Sequence, residues 1–141
     1  MNEYLFKELY IGQKETFTVQ ITKYLEDSFR EITEDINPLH QDDVFAEKIG
    51  KGEFKSHVTF GMLTASFYST LAGVYLPGKY SLIHSLNIKF QKPVYTGDYL
   101  TISGEIVEKQ DELKLIQIKA IIKNQKAKKV SQADMKVLVM K

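Results

Sequence analysis

Cysteine is absent from the 141 residues. That excludes disulfides, iron–sulfur clusters, thiolate zinc sites and a cysteine nucleophile, and nothing in the chain needs an oxidising compartment. An excess of one charge is missing too. Nineteen Lys and Arg against eighteen Asp and Glu leave a net +1, so no overall field favours nucleic acid or an anionic membrane. The start, Met1-Asn2-Glu3-Tyr4-Leu5-Phe6-Lys7-Glu8, has no basic residues followed by an apolar run and does not read as a signal peptide. The chain also lacks internal repeats, low-complexity tracts and Pro/Gly/Ser linkers. A phosphate-loop glycine motif, paired metal-ligand spacing and a Gly-x-Ser-x-Gly elbow are likewise not found.

What remains is 43% hydrophobic and 26% charged, an ordinary soluble globular composition. At about 100–200 residues per domain, residues 1–141 make one domain. One stretch raises the membrane question. From Ser56 to Gly78 no residue is formally charged, with His57 neutral, which is long enough on paper for a spanning helix. Thr59, Thr64, Ser66, Ser69 and Thr70 make it too polar for lipid, and a helix apolar on most sides also suits the buried centre of a soluble fold. The expectation is a soluble, cytoplasmic protein.

Period-two alternation marks strands with one buried face. It runs through Phe17, Val19 and Ile21; through Leu100, Ile102, Gly104 and Ile106; through Ile116, Ile118, Ala120 and Ile122; and through Ala133, Met135, Val137 and Val139. A further strand spans Ser81 to Phe90. Polar tracts at Lys109–Glu112 and Lys123–Lys129 read as hairpin turns, so the last three strands form an antiparallel meander. Helices fall in the first half. Thr22 caps one with Leu25, Phe29 and Ile32 on a single stripe. Asp42 caps a short one closed by Gly50, and the longest runs from about Thr59 to Tyr75. A helix with so little polar face must be wrapped by the sheet. The fold class is therefore α+β, an antiparallel sheet around a long central helix.

Chemistry has few candidates. In Asp35-Ile36-Asn37-Pro38-Leu39-His40, Pro38 forces Asn37 out of helical conformation. The turn can bring a carboxylate and an imidazole within reach of one water, the pairing needed for proton transfer near neutral pH. The same residues also suit an Asx-type turn in which His40 is incidental. Gly61 falls in the first turn of the long helix, where N–H groups lack acceptors and the dipole is positive. A glycine there admits a ligand carbonyl, or merely allows a close helix–sheet contact. His84 shares an apolar face with Leu82, Leu86 and Phe90 and reads as a core histidine, with pocket lining as the alternative. His57 has no obvious partner. Lys119, Lys123, Lys126, Lys128 and Lys129 cluster around the last turn, as solvated surface or as a phosphate contact.

The segment Asp35 to His40, with Asp42 and Ala46 following, resembles the signature of MaoC-like (R)-specific enoyl-CoA hydratases, which are hot-dog proteins. Further matches follow in family order: Gly61-Met62-Leu63 with Ala65-Ser66, Leu76-Pro77-Gly78, and Phe90-x-x-Pro93-Val94-x-x-Gly97-Asp98. Two positions depart: Glu34 stands where the family commonly has Gly, and Phe60 where it often has His. Glu34 adds a second negative charge beside Asp35, and Phe60 makes the thioester end of the pocket drier.

The resemblance implies a single hot-dog domain and a hydro-lyase acting on trans-2-enoyl thioesters, or on 3-hydroxyacyl thioesters in reverse. It implies Asp35 and His40 as the catalytic pair holding one water, with Asn37 supporting them. Gly61 N–H would stabilise the thioester oxygen, and Ser69 would line the site unless it bonds within its own helix. No metal or redox cofactor is required. The implied partners are an acyl-CoA or acyl carrier protein substrate and a second copy in a homodimer, with no nucleic acid or membrane. A non-catalytic hot-dog module that binds an acyl thioester or a partner protein is the competing expectation, and a hot-dog thioesterase ranks third.

Overall fold

Alternating apolar and polar residues build five strands: β1 (Lys14–Gln20), β2 (Ser81–Phe90), β3 (Tyr99–Gln110), β4 (Leu115–Lys123) and β5 (Lys129–Val139). In the computed structural model, which describes residues 1–141, they form one antiparallel sheet in the order β1-β3-β4-β5-β2. The last three strands are the expected meander. On β3 the inward residues Leu100, Ile102 and Ile106 are fully buried, as are Ile116, Ile118 and Ile122 near or on the same face of β4. Each such side chain contributes about 1.5–3 kcal/mol when removed from water.

The sheet curls around helix α3 (Gly61–Thr70), which continues as one π-helical turn over Leu71–Tyr75. Tyr68, Leu71 and Ala72 are fully buried there and belong to the same core as the strand residues. Because the regular helix ends after ten residues, the uncharged stretch is no spanning segment, and no helix is long and apolar enough to cross a membrane. Gly78 explains the Leu76-Pro77-Gly78 motif. Its φ is +89°, and a Cβ there would lie 2.0 Å from the Asn2 carbonyl oxygen, so the N-terminal segment crosses at van der Waals limit.

Two shorter helices precede α3: α1 (Lys23–Thr33) and α2 (Asp43–Ile49). Thr22 and Asp42 cap them as expected, their side chains accepting from Leu25 N and Phe45 N, and Gly50 closes α2. The predicted stripe on α1 is only partly right. Ile32 is 81% exposed, whereas Glu26 is buried, because polar partners for its carboxylate converge from other parts of the chain.

The face predicted for β2 also needs correction. Leu82, His84, Leu86 and Phe90 are exposed rather than buried. β2 is an edge strand bonded only to β5, with an irregularity between Ile83 and Ser85, and the rest of the chain does not cover it. His84 is therefore not a core residue.

Candidate active site

The loop after α1 is organised by its own side chains. Glu34 ends the helix in the left-handed conformation, φ 57° and ψ 21°, with its N–H donating to the Arg30 carbonyl. That backbone, rather than charge, gives a physical reason for glycine at this position. Asp35 Oδ1 then accepts from Asn37 N at 3.0 Å, and Asn37 Oδ1 accepts from Leu39 N at 3.0 Å, starting a 3-10 turn over Pro38–His40. Both side chains are exposed, and no direct hydrogen bond joins Asp35 to His40. The Asx-turn bonds weighed from the sequence are present.

His40 is not incidental to that turn. It is half-buried, and its Nδ1 lies 2.7 Å from the carbonyl oxygen of Val58, which links the loop to the segment before α3. A carbonyl can only accept, so Nδ1 carries the proton and the neutral ring keeps its lone pair on Nε2. Nε2 has no hydrogen-bond partner within the chain. The ring rests on Phe60, with centroids 4.3 Å apart, and Phe60 in turn meets Phe29 at 5.1 Å. Arg30 spans the same layer, its guanidinium carbon 5.5 Å from the Phe60 centroid and one nitrogen donating to the His40 carbonyl at 3.1 Å. Phe60 is buried beneath His40 rather than facing the pocket.

His40 and Gly61 line one cavity of about 370 Å³, whose walls include Phe54, Val58, Thr64, Phe90, Val94 and Val130. Gly61 is the first residue of α3, and its N–H meets no acceptor in the chain. Its other role is steric: a Cβ at Gly61 would sit 3.2 and 3.3 Å from two carbons of the Phe90 ring. The helix–sheet contact and the free N–H thus coexist. The cavity joins an imidazole and the start of α3 to Glu53, Gln91 and Lys92, and its apolar side chains offer a surface suited to a hydrocarbon chain.

The remaining expected residues lie elsewhere. Asp35 and Asn37 do not line the cavity, and neither does Ser69. Ser69 is exposed on α3, about 12 Å along the helix axis from Gly61, and makes no bond within its helix, unlike Thr64 and Ser66. The five clustered lysines are exposed on β4, the turn after it and the start of β5; none of them lines the cavity, where the lysine is Lys92. No group of three or more His, Asp or Glu side chains is placed to hold a metal.

His57 departs most from expectation, since it has three partners. Nδ1 is 2.6 Å from Asp43 Oδ1, and Nε2 is 3.0 Å from Thr96 Oγ1 and 3.4 Å from Glu26 Oε2. Burial opposes its charge, yet the bonds to Asp43 and Glu26 and their negative charge leave its pKa above the ordinary imidazole value. The His57 backbone N–H first, and then its ring bond and charge, hold the Asp43 carboxyl below its usual range. Deeper in the core, burial pushes the Tyr68 hydroxyl up to about 12, although it shares a 2.8 Å hydrogen bond with Ser131.

Comparison with known proteins identifies the family and the fold. The family profile described as MaoC like domain matches residues 8–133. An (R)-specific enoyl-CoA hydratase of Aeromonas caviae is 33% identical over 106 residues, which are 75% of this chain and 77% of that protein. A 3-hydroxybutyryl-CoA dehydratase of Methylorubrum extorquens is 31% identical over 103 residues, covering 73% of this chain and 64% of its own. Among solved structures, the (R)-hydratase from A. caviae superposes with a TM-score of 0.87 at 28% identity, covering 94% of this chain and 98% of that one. The superposed hydratase is a hot-dog protein, and the sheet wrapped around α3 is the same architecture.

Proposed function

The chain belongs to the MaoC-like domain family, and from that premise we propose that it catalyses (R)-specific hydration of trans-2-enoyl thioesters, or the reverse dehydration. The observation that carries the reading is the shared cavity: His40, with Nδ1 held by the Val58 carbonyl, lines it together with the unpartnered Gly61 N–H. In hydration, a water held between Asp35 and His40 attacks C3 of the enoyl group. Nε2 of His40 takes its proton, and the carbon–carbon double-bond electrons move toward the thioester carbonyl. The oxyanion that builds there faces the Gly61 N–H at the positive end of α3. The proton then returns to C2 on the same face, giving an (R)-3-hydroxyacyl thioester, with water and alkene consumed one for one. Asp35 keeps Oδ2 free for the water because Oδ1 is engaged by Asn37 N. Asn37 supports the loop, and Ser69, which lies outside the cavity, would meet only a part of the substrate that extends beyond it along α3.

An acyl-CoA or acyl carrier protein thioester suits this chemistry, and the relatives' names include both carriers. A homodimer completes the reading. β2 offers an unpaired edge with Leu82, Leu86 and Phe90 exposed, an arrangement that monomeric proteins avoid. Phe90 and Gly61 line the same cavity, so that edge adjoins the site.

Crotonyl-CoA tests the function directly, since hydration abolishes the ultraviolet band of the conjugated thioester. Wild type is expected to remove the band and yield the (R) alcohol, with His40→Ala and Asp35→Asn each losing about 10²–10⁴-fold. A panel of longer enoyl-CoA and enoyl-carrier substrates left intact by the wild type would favour the non-catalytic module instead, and release of free thiol would favour a thioesterase.

A further inference from the structure

Behind His40 lies a cluster that the proposed chemistry does not use. Glu26 of α1 is 3% exposed, and its carboxylate accepts from Thr59 Oγ1 at 2.6 Å and Thr96 Oγ1 at 2.8 Å. The hydroxyl hydrogen of Thr96 is thereby committed to Glu26, so Thr96 can only accept from His57 Nε2 at 3.0 Å. At its other nitrogen His57 meets Asp43 Oδ1 at 2.6 Å, again an acceptor. Both ring nitrogens therefore donate, and counting hydrogens makes His57 an imidazolium between the two carboxylates.

This cluster holds one short stretch of chain. His57 N donates to Asp43 Oδ1 at 2.9 Å, Val58 N to the Leu39 carbonyl at 3.0 Å, and Thr59 N to the Val94 carbonyl at 2.8 Å. His57 and Thr59 both reach Glu26, while Val58 between them lines the cavity. The Val58 carbonyl is the one that fixes His40 Nδ1, and Gly61 begins α3 only two residues beyond Thr59. Burying a carboxylate is costly where an apolar side chain would pack without penalty. Its placement on α1, while Ile32 faces solvent, favours a task beyond packing.

We infer that Glu26 is a positioning residue for the reaction proposed above. Through Thr59 and His57 it sets the position of the Val58 carbonyl, and so the tautomer and tilt of His40 and the aim of the Gly61 N–H. The inference rests on that functional reading for its kinetic arm only.

The test compares Thr59→Val, which keeps shape but deletes the hydroxyl, with Thr59→Ser, which restores it, and with Glu26→Gln. Two quantities are read on cooperatively folded protein. One is the ring nitrogen spectrum of His40 by NMR, at a pH where the ring is neutral and with no substrate present. The other is kcat and KM for crotonyl-CoA. In wild type and Thr59→Ser, His40 should hold its hydrogen on Nδ1. Thr59→Val and Glu26→Gln should show mixed tautomers and lose about 10²-fold in kcat, with KM changing less than about threefold. An unmixed Nδ1–H tautomer in both folded variants would overturn the inference, and so would wild-type kcat in Thr59→Val. Should wild type hydrate no thioester, the functional reading fails, and the tautomer spectra still decide whether Glu26 positions His40.

Discussion

The Gly61 N–H can be tested by removing the hydrogen without removing the residue's place in the fold. Gly61 is the first residue of α3, and Phe60 before it has φ −52° and ψ 122°. Proline is favoured at a first helical position, where no intrahelical bond is lost, and an extended preceding residue is what a proline demands. Gly61→Pro should therefore fold. Its Cβ would approach the Phe90 ring at 3.2 Å, a strain that the half-exposed ring relieves by shifting. Gly61→Ala meets the same ring with the same Cβ and keeps the N–H. The pair separates the two roles of this residue: Ala against Gly reports the close contact, and Pro against Ala reports the hydrogen bond.

One oxyanion donor is worth about 2.7–4 kcal/mol, or 10²–10³-fold in kcat. Gly61→Pro is expected to fall below Gly61→Ala by that factor on crotonyl-CoA, followed by loss of the conjugated thioester absorbance, with similar thermal midpoints for the two. Equal kcat in two folded variants would refute oxyanion stabilisation at this N–H and leave Gly61 as a packing residue only.

Three further outcomes are expected. Glu34 occupies a left-handed backbone position and is exposed, so Glu34→Gly should stabilise by about 0.5–1 kcal/mol, measured by urea denaturation; no change would mean that the loop relaxes the strain another way. The His57 pKa is raised, so its contribution to stability is full below the ordinary 6.5 and is lost as pH climbs through the folded value. Asp43 is lowered and acts in the opposite sense, contributing above the ordinary 3.8 and losing that as pH falls through its folded value. Thermal midpoints against pH should thus decline from pH 6.5 upward more steeply in wild type than in His57→Gln, and parallel curves would contradict the pairing. Finally, Leu86→Lys on the free edge of β2 should convert a dimer to monomers in sedimentation velocity, and an unchanged sedimentation coefficient would place any interface elsewhere.

Those expectations divide by how local their causes are. Caps at Thr22 and Asp42, the alternation on β3, β4 and β5, and the meander turns depend on neighbours a few residues away, and all of them were legible in the chain. The inner face of α1 was not. Glu26 is spaced three residues before Phe29, so helical geometry alone puts it near the buried stripe, but its charge argues for solvent. What reverses the argument is a set of donors 31, 33 and 70 residues away at His57, Thr59 and Thr96, and no local pattern announces them. The apolar face of β2 failed for a related reason. Alternation shows which residues share a face, whereas exposure depends on whether another element covers it, and β2 is the edge.

The loop from Asp35 to His40 posed turn and active site as rival readings, and its geometry makes them compatible. Asp35 spends Oδ1 on Asn37 N, and Asn37 spends Oδ1 on Leu39 N. Each bond fixes the path that delivers His40 to the Val58 carbonyl. Each side chain keeps a second polar atom uncommitted: Oδ2 of Asp35, an acceptor, and Nδ2 of Asn37, a donor. Asp-x-Asn-Pro-x-His is thus a turn whose bonds orient an imidazole while leaving one acceptor on Asp35 and one donor on Asn37 uncommitted. An alanine at Asp35 would lose both functions together, whereas Asp35→Asn keeps an oxygen for the turn and removes the charge. That is why the conservative substitution is the informative one for the proposed chemistry.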